Sequence, residues 1–160
     1  MIERAGVAGV TQRAVAHEAH VPPSTVMYYF PTIEDLLLTA LTACNDSCLR
    51  RLAEIDAHDD SRALRELAEE IVRGAEANRA RAVAEYELFV LAARHPAIRA
   101  EANRWTQALD RFIARFVSDP IARDGVTAAV DGLFIRVLNS DDPPRQEHIL
   151  AVLLQLTGQR

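Results

Sequence analysis

The sequence predicts an all-helical protein. Glycine is scarce, with 6 residues in a chain of 160, and no stretch alternates apolar and polar residues as a half-buried strand does. Apolar residues recur at helical intervals along most of the chain, and prolines and capping residues separate these stretches. The pattern favours a small N-terminal helical head, residues 1–45, followed by a larger helical body, residues 46–160.

The head is predicted from the stretch between Thr11 and Leu37. Thr11 is a suitable N-cap for a first short helix, and Pro23 suits the first position of a second helix, where a proline loses no hydrogen bond. Pro31 ends this second helix, because the residue before a proline is disfavoured in the helical region. Two short helices joined by a tight turn form the helix-turn-helix motif, whose second helix lies in the DNA major groove.

Five helices and one apolar block that contains glutamates are predicted after the helix-turn-helix. The first of these helices begins in the head and continues into the body. Thr32 is expected to cap the first of these helices and Ser61 the second, after a charged loop. The last two helices are both apolar, which suggests a surface that one copy of the chain cannot bury alone. The alternative that both helices close the core of the monomer stays open. The predicted segments are Thr32–Ala57, Ser61–Asn78, the block Arg79–Arg94, a helix from Pro96 that breaks at 118–120, Ala122–Leu138 and Pro144–Leu156.

Composition and spacing argue against several classes of function. No uncharged stretch reaches the roughly 20 apolar residues of a membrane span, and no signal peptide is evident, so we expect a cytoplasmic protein without a membrane partner. Cys44 and Cys48 lack a second pair of ligands, which favours reduced thiols over a metal site or a disulfide. The HEAH stretch at 17–20 has the wrong spacing for zinc. No nucleophile–base set or phosphate loop indicates an enzyme or a cofactor.

The charge balance argues against tight DNA binding. The net charge is −5, and all 18 basic residues are arginine. Residues 1–50 contain three arginines and five carboxylates, a formal balance of −2. Since basic side chains that neutralise phosphates supply non-specific DNA affinity, we expect a head of this composition to bind DNA weakly.

The run GVAGVTQRAVAHEAHVPPSTVMYYFPTIEDLL at residues 6–37 resembles the DNA-binding domain of TetR-family transcriptional regulators. The matching features are the glycine-valine start, the threonine cap, the valine before the second helix, the Tyr28–Phe30 aromatic run and the acidic-Leu-Leu start of the next helix. The resemblance implies a homodimer formed by the last two helices, which presents two recognition helices to the half-sites of a double-stranded DNA operator. It also implies that the body binds a small-molecule effector.

The sequence departs from the family pattern at four places. His20 stands in the turn where the family usually has glycine, so we expect a left-handed backbone that histidine tolerates less well. Met27 replaces a tyrosine, and Ile33 replaces a lysine that contacts phosphate in the family. The family's first helix normally precedes Gly6, and only five residues stand there. We therefore expect a DNA-binding domain that is truncated at its N-terminus.

Seven side chains of the two short helices are predicted to contact DNA. Hydroxyl groups would donate to phosphates, arginine and glutamine would reach base edges, and a threonine methyl group would contact thymine. Two alternatives stay open: Thr11 acts only as a cap, and Tyr29 packs in the core of the head. The predicted residues are Thr11, Gln12, Arg13, Ser24, Thr25, Tyr28 and Tyr29.

The effector site is predicted on apolar faces of the body. Ligand sites are mostly apolar with a few placed polar groups, which implies a small apolar or amphipathic effector. An aromatic stripe at helical spacing is also typical of an ordinary core, and this alternative stays open. The predicted ligand-binding residues are Tyr86, Phe89, Trp105, Leu109, Phe112 and Phe134.

Two functions remain open from the sequence. The first is a ligand-responsive repressor that binds a palindromic operator as a homodimer and is released when the effector favours another dimer geometry. The second is a dimeric small-molecule-binding or protein-interaction module that has lost DNA binding. The acidic head, Ile33 and the expected truncation favour the second function, whereas the helix-turn-helix residues favour the first.

Overall fold

The computed structural model describes residues 6–77 and 79–159, apart from the side chains of residues 75–77. Over these residues the chain forms eight α-helices after a short 3₁₀ turn at Val7–Gly9 and contains no strand, which confirms the all-helical prediction. The expected N-terminal truncation concerns residues 1–5, which lie outside the described residues. The helices are α1 (Gln12–Glu18), α2 (Pro23–Tyr29), α3 (Ile33–Asp56), α4 (Asp60–Ala77), α5 (Arg79–Ala92), α6 (Pro96–Ile113), α7 (Pro120–Leu138) and α8 (Gln146–Thr157).

Packing divides the chain into two compact units. The first comprises residues 1–46 and 80–104, and the second comprises residues 47–79 and 105–160. Helices α3 and α6 therefore each contribute one part to the first unit and another part to the second. These units describe packing, and the predicted functional boundary between residues 45 and 46 remains a prediction.

The core of the first unit joins α3, α5 and α6. Leu41 and Ile98 are fully buried in it, and Leu88 is nearly so. Val10, which precedes α1, is also buried in this cluster, and Val15 packs against it. Each such aliphatic side chain stabilises the fold by about 1.5–3 kcal/mol when removed from water. The short helices of the head are thus supported by residues that lie more than 45 positions further along the chain.

The second unit is built on α4, which packs against both α7 and α8. The apolar stripe of α4 is buried as its helical spacing predicts, with Leu64, Leu67 and Ile71 at most 1% exposed. Val130 of α7 and Leu153 of α8 are fully buried in the same unit. The periodicity of the sequence therefore identified the inward faces of these helices correctly.

Two predicted helix caps have different outcomes. The Thr32 hydroxyl accepts from the Asp35 N–H at 3.1 Å, as expected for the cap of α3. The prediction of Ser61 as the cap of α4 is wrong, because Asp59 has this role: its carboxylate accepts from the Arg62 N–H at 3.1 Å and from the Ser61 hydroxyl at 2.9 Å. A charged carboxylate is the better acceptor at the positive end of a helix. These hydrogen bonds lower the pKa of Asp59.

The turn between α1 and α2 contains the left-handed residue that the sequence predicts. His20 has φ of 55°, and it is the one non-glycine residue with a positive φ in the described part of the chain. The turn is closed by the Val21 N–H, which donates to the Ala16 carbonyl at 3.0 Å. A side chain with a Cβ atom is strained in this backbone region.

Replacing His20 with glycine is expected to raise the free energy of unfolding by about 0.5–1 kcal/mol, because the relief of backbone strain exceeds the extra entropy that glycine loses on folding. Scanning calorimetry measures the change. His17→Gly is the matched control: it places glycine within α1, where the substitution is expected to destabilise by about 1 kcal/mol. A lower melting temperature for both variants would contradict the strain at His20.

Candidate nucleic-acid interface and ligand site

Helices α1 and α2 pack against each other as a helix-turn-helix. Ala16 is the buried residue of α1, and Val26 is the buried residue of α2. Val26 and the partly buried Phe30, four residues later, occupy the inward side of the second helix. This packing leaves the outer face of α2 in contact with solvent.

Thr11 and Gln12 both have a structural role at the start of α1. The Thr11 hydroxyl accepts from the Ala14 N–H at 3.1 Å, which is the predicted cap. The Gln12 amide donates through Nε2 to the carbonyl oxygens of Phe30 at 2.6 Å and Pro31 at 3.0 Å. The end of α2 is thereby tied to the start of α1. For DNA contact, Thr11 retains its hydroxyl proton as a donor and Gln12 retains its Oε1 atom as an acceptor.

The predicted contact residues of α2 are presented on its surface. Ser24 is exposed, Thr25 is half-buried, and the Tyr28 and Tyr29 side chains are 79% and 69% exposed. The two tyrosine rings meet edge to face, with 5.2 Å between their centroids. The alternative that Tyr29 packs in the core is wrong, because Phe30 and not Tyr29 follows the inward-facing residue of α2 by one helical turn.

Arg13, on α1, is the positively charged residue of the helix-turn-helix. It is exposed, it is the sole arginine between residues 6 and 46, and no carboxylate in the described part of the chain is paired with it. Ile33, where the family has a phosphate-contacting lysine, is instead partly buried against the core of the first unit. The two helices therefore present several exposed hydroxyl donors and one positive charge, groups that can position a phosphate backbone and reach a base edge.

A contact that the sequence did not indicate holds the start of the head. Glu87 of α5 accepts a hydrogen bond from the Val7 N–H at 2.6 Å. Gly6 precedes this contact with φ of 67°, and a Cβ atom at this position would lie 3.2 Å from the Glu87 carboxylate. Glycine is required here by both backbone and space. No short-range pattern could have linked residues 80 positions apart in the chain.

A second polar contact lies between α3 and α6 within the first unit. Asn45 is 2% exposed, and its amide donates to the Glu101 carbonyl at 2.7 Å and carboxylate at 2.9 Å. Arg104 pairs with Glu101 at 2.7 Å and with Asp46 at 2.9 Å. These bonds join the long helix that follows the head to α6 by directional contacts. An apolar residue at position 45 would leave the Glu101 groups without this donor.

The predicted ligand-binding residues belong to both compact units. Leu109 and Phe112 are core residues, with exposures of 0% and 2%. Their burial favours the alternative that this aromatic and aliphatic stripe belongs to an ordinary core. Trp105 and Phe134 are brought together, with 6.4 Å between ring centroids in an edge-to-face contact. The residues in the first unit are Tyr86 and Phe89, and those in the second are Trp105, Leu109, Phe112 and Phe134.

A groove of about 500 Å³ lies between α6 and α7 in the second unit. Trp105 borders it by donating from its indole N–H to the Asp131 carboxylate at 3.0 Å. Thr127, also in the groove, has a buried hydroxyl with no hydrogen-bond partner among the described residues. This groove was not predicted from the sequence. The polar residues spaced along the otherwise apolar α7 were the pattern that could have indicated it. The lining residues are Thr106, Gln107, Asp110, Arg111, Asp124, Thr127, Ala128 and Asp131.

Burial raises the pKa of Asp131, and the hydrogen bond from Trp105 opposes this shift only in part. The folded chain therefore binds a proton at this carboxyl group more readily than the unfolded chain does. The contribution of Asp131 to the free energy of unfolding is thus largest at low pH. It declines as the pH rises from the ordinary value of 3.8 through the raised folded-state pKa.

Asp131→Asn is expected to remove this decline. The difference in unfolding free energy between the variant and the parent protein should shift in favour of the variant as the pH rises from about 4 to 7. Urea unfolding followed by circular dichroism at each pH measures it. The exposed Asp124→Asn variant controls for the loss of one charge. A pH-independent difference for Asp131→Asn would show that burial does not perturb this group.

Other classes of site have no counterpart in the described residues. No cluster of three or more histidine, cysteine or acidic side chains is placed to hold a metal ion over these residues. None of the described helices combines the length and the apolar character that crossing a bilayer requires. Cys44 and Cys48 are partly buried and form no disulfide in the described part of the chain.

An all-helical chain with a helix-turn-helix head and a helical body has the architecture of a one-component transcriptional regulator. Residues 1–40 match the family described as bacterial regulatory proteins, tetR family, and residues 58–159 match the tetracyclin repressor-like C-terminal domain. The chain belongs to the TetR family of transcriptional regulators. A search of curated protein sequences finds no match.

Solved structures support the family assignment. A TetR-family member from Streptomyces coelicolor A3 shares 33% identity, with coverage of 96% of this chain and 90% of that chain and a TM-score of 0.83. The multidrug binding protein EbrR in complex with ethidium shares 33% identity, with coverage of 97% and 90% and a TM-score of 0.81. A transcriptional-regulator candidate from Saccharomonospora viridis in complex with choline shares 25% identity, with coverage of 98% and 89% and a TM-score of 0.73.

Proposed function

We propose that this TetR-family regulator binds a palindromic operator as a homodimer and represses transcription until a small apolar or amphipathic molecule releases it. The observation that carries the proposal is the outer face of the helix-turn-helix. There, Arg13, which has no ion-pair partner among the described residues, is exposed together with the hydroxyls of Ser24, Tyr28 and Tyr29. Such donors on a recognition helix have no role in the core of the head, and they suit phosphates and base edges. The proposal places this repression in the cytoplasm, where the operator DNA lies.

Dimerisation through α7 and α8 is supported by an apolar face of α7 that is exposed to solvent. The apolar face of a helix is normally buried. Yet Ile121 and Ile135 of α7 are 82% and 44% exposed. Between them, Gly125 and Gly132 have open space where a Cβ atom would stand. Two copies of this face could approach closely about a twofold axis, as an isologous dimer interface requires.

An effector site in the body is supported by the aromatic pair Trp105 and Phe134 and by the relatives. Ethidium and choline, which two of these relatives bind, are small organic molecules. A ligand releases DNA only if it binds the DNA-incompatible dimer geometry more tightly than the compatible one.

The alternative function, a dimeric ligand-binding or protein-interaction module without DNA binding, is favoured by one observation. Between residues 6 and 46 the head has one arginine and four carboxylates. The electrostatic share of DNA affinity is then small. Under this alternative the tyrosines of α2 would contact a protein and not a duplex.

The test begins with selection of duplexes from a random library by the full chain. The regulator predicts enrichment of an inverted repeat whose half-site centres lie about one helical turn, 10–10.5 base pairs, or a multiple of it apart. Sedimentation should show two chains per selected duplex, and choline, which does not intercalate into DNA, is the first probe for release. Failure to enrich any sequence, with dimers still present, would favour the interaction module. Monomers on DNA would overturn the homodimer.

A further inference from the structure

A buried hydroxyl and a carboxylate lie on neighbouring turns of α7 in the groove between α6 and α7. Thr127 is 5% exposed and Asp131 follows it by four residues, so both side chains are on the same side of the helix. The groove volume of about 500 Å³ is within the range of small-molecule sites. Both residues belong to the second compact unit, so the groove is complete within that unit.

The Thr127 hydroxyl differs from that of Thr157, the other buried helical threonine among the described residues. A buried threonine on a helix usually donates to the carbonyl one turn earlier. Thr157 of α8 does so, since its hydroxyl donates to the Leu153 carbonyl at 2.8 Å. Thr127 is equally buried, yet its hydroxyl has no such partner in the described structure. A buried polar atom of this kind is rare unless a water molecule or a ligand satisfies it.

The charge of the groove indicates what that ligand is. Its lining includes Asp110, Asp124 and Asp131 against the single cation Arg111. Asp110 is neutralised by Arg123 at 2.6 Å, and the lining keeps an excess of negative charge. The Trp105 indole holds the Asp131 carboxylate in place, and a carboxylate has about four acceptor positions in all.

We propose that this groove binds a small protonated amine with an aromatic or apolar body, whose N–H groups donate to the Thr127 hydroxyl and the Asp131 carboxylate. The proposal rests on the proposed function in taking the body as the receiver of an effector, and it names the chemical class of that effector. Burial of Asp131 favours a cationic partner, since an ammonium group compensates the charge that desolvation penalises.

The single tryptophan of the chain allows a direct test, because Trp105 is hydrogen-bonded to the proposed ligand-binding carboxylate. The probe is 2-phenylethylamine, titrated into the full chain while tryptophan fluorescence is recorded. We expect a saturable change in emission. The neutral analogue 2-phenylethanol should bind at least about tenfold more weakly, which is the loss expected when a charge-assisted hydrogen bond is removed. The N-trimethylated analogue, which keeps the charge but has no N–H donor, should also bind more weakly.

Three variants connect the binding to the named groups. Asp131→Asn should weaken amine binding by about tenfold or more, and Thr127→Val should weaken it by about three- to tenfold. Asp142→Asn, an exposed charge change in the loop before α8, should leave it unchanged. Thr127→Val removes an unsatisfied hydroxyl, so the melting temperature should hold or rise. A marked fall would reveal an internal partner for the hydroxyl and overturn the proposal, as would equal binding of amine and alcohol.

Failure of this inference and failure of the proposed function give different results. If the amine does not bind while the chain still selects a palindromic duplex, the inference is wrong and the regulator stands. If the amine binds with the expected variant pattern but the chain binds no duplex, the groove assignment stands and the DNA-binding function is wrong. Amine binding that is unaffected by Thr127→Val and Asp131→Asn would place the amine elsewhere and overturn the inference.

Discussion

The Arg13→Ala variant is expected to bind the selected operator at least about tenfold more weakly, a loss of about 1–3 kcal/mol for each half-site. Arg13 is the sole arginine of the described head residues before position 50, and it is exposed on α1 without an ion-pair partner in the described structure. No ion pair within the described part of the chain is lost with its side chain, so the melting temperature and the dimer mass should not change.

Fluorescence anisotropy with the selected duplex measures this effect, and a comparison with a scrambled duplex separates base contact from phosphate contact. Arg94→Ala, which removes an exposed arginine from the first unit outside the helix-turn-helix, is the matched control. An equal loss on both duplexes would assign Arg13 to phosphate. Unchanged affinity on the operator would remove Arg13 from the interface.

Salt dependence gives a second readout of the same residue. If Arg13 contacts phosphate, its removal should reduce the slope of log affinity against log salt by about one for each head. The parent slope itself should be shallow, because neutral hydroxyls such as those of Tyr28 and Tyr29 release no counterions. A steep slope in the parent protein would require cations beyond those that the described head residues present.

Arg115→Ala is expected to lower the free energy of unfolding by about 1–3 kcal/mol, the range for hydrogen bonds that involve charged groups. Arg115 donates to the carbonyl oxygens of Asp56 and His58, both at 2.7 Å, and to the carboxylates of Asp56 at 2.9 Å and Asp60 at 2.7 Å. One guanidinium therefore closes the end of α3 and the loop before α4. It also lies 5.3 Å from the centre of the Phe116 ring.

Thermal unfolding should show a lower melting temperature for this variant by about 3–10 °C in a chain of this size. Arg111→Ala, an exposed arginine in the last turn of α6 just before Arg115, controls for the loss of one arginine. Arg115→Lys should be intermediate, since an ammonium group keeps the charge but cannot reach two carboxylates and two carbonyls in the fixed geometry of guanidinium. Equal stability of the alanine variant and the parent protein would mean that the hydrogen bonds of Arg115 contribute nothing to the free energy of unfolding.

Local rules were sufficient for most of the helical architecture. Prolines, capping residues and apolar periodicity placed most helix bounds within about two residues of the observed ones, because these signals act over one or two helical turns. The break expected at 118–120 was too late for α6, which ends at Ile113, and the block Arg79–Arg94 forms the helix α5. The left-handed backbone at His20 also followed from the turn chemistry alone. The same local reasoning failed at Ser61, because the neighbouring Asp59 competes for the cap of α4 and a charged carboxylate is the better acceptor there.

The sequence by itself thus determined the fold class, the helix-turn-helix and the residues available for DNA contact. Only the tertiary structure decided which of those residues have structural duties, as the contact of Gln12 with Phe30 shows. It also brought Glu87 to the start of the head and left the Thr127 hydroxyl buried without a described partner. The reason is physical: periodicity specifies which face of a helix is buried, but a hydrogen bond between distant residues depends on how helices cross.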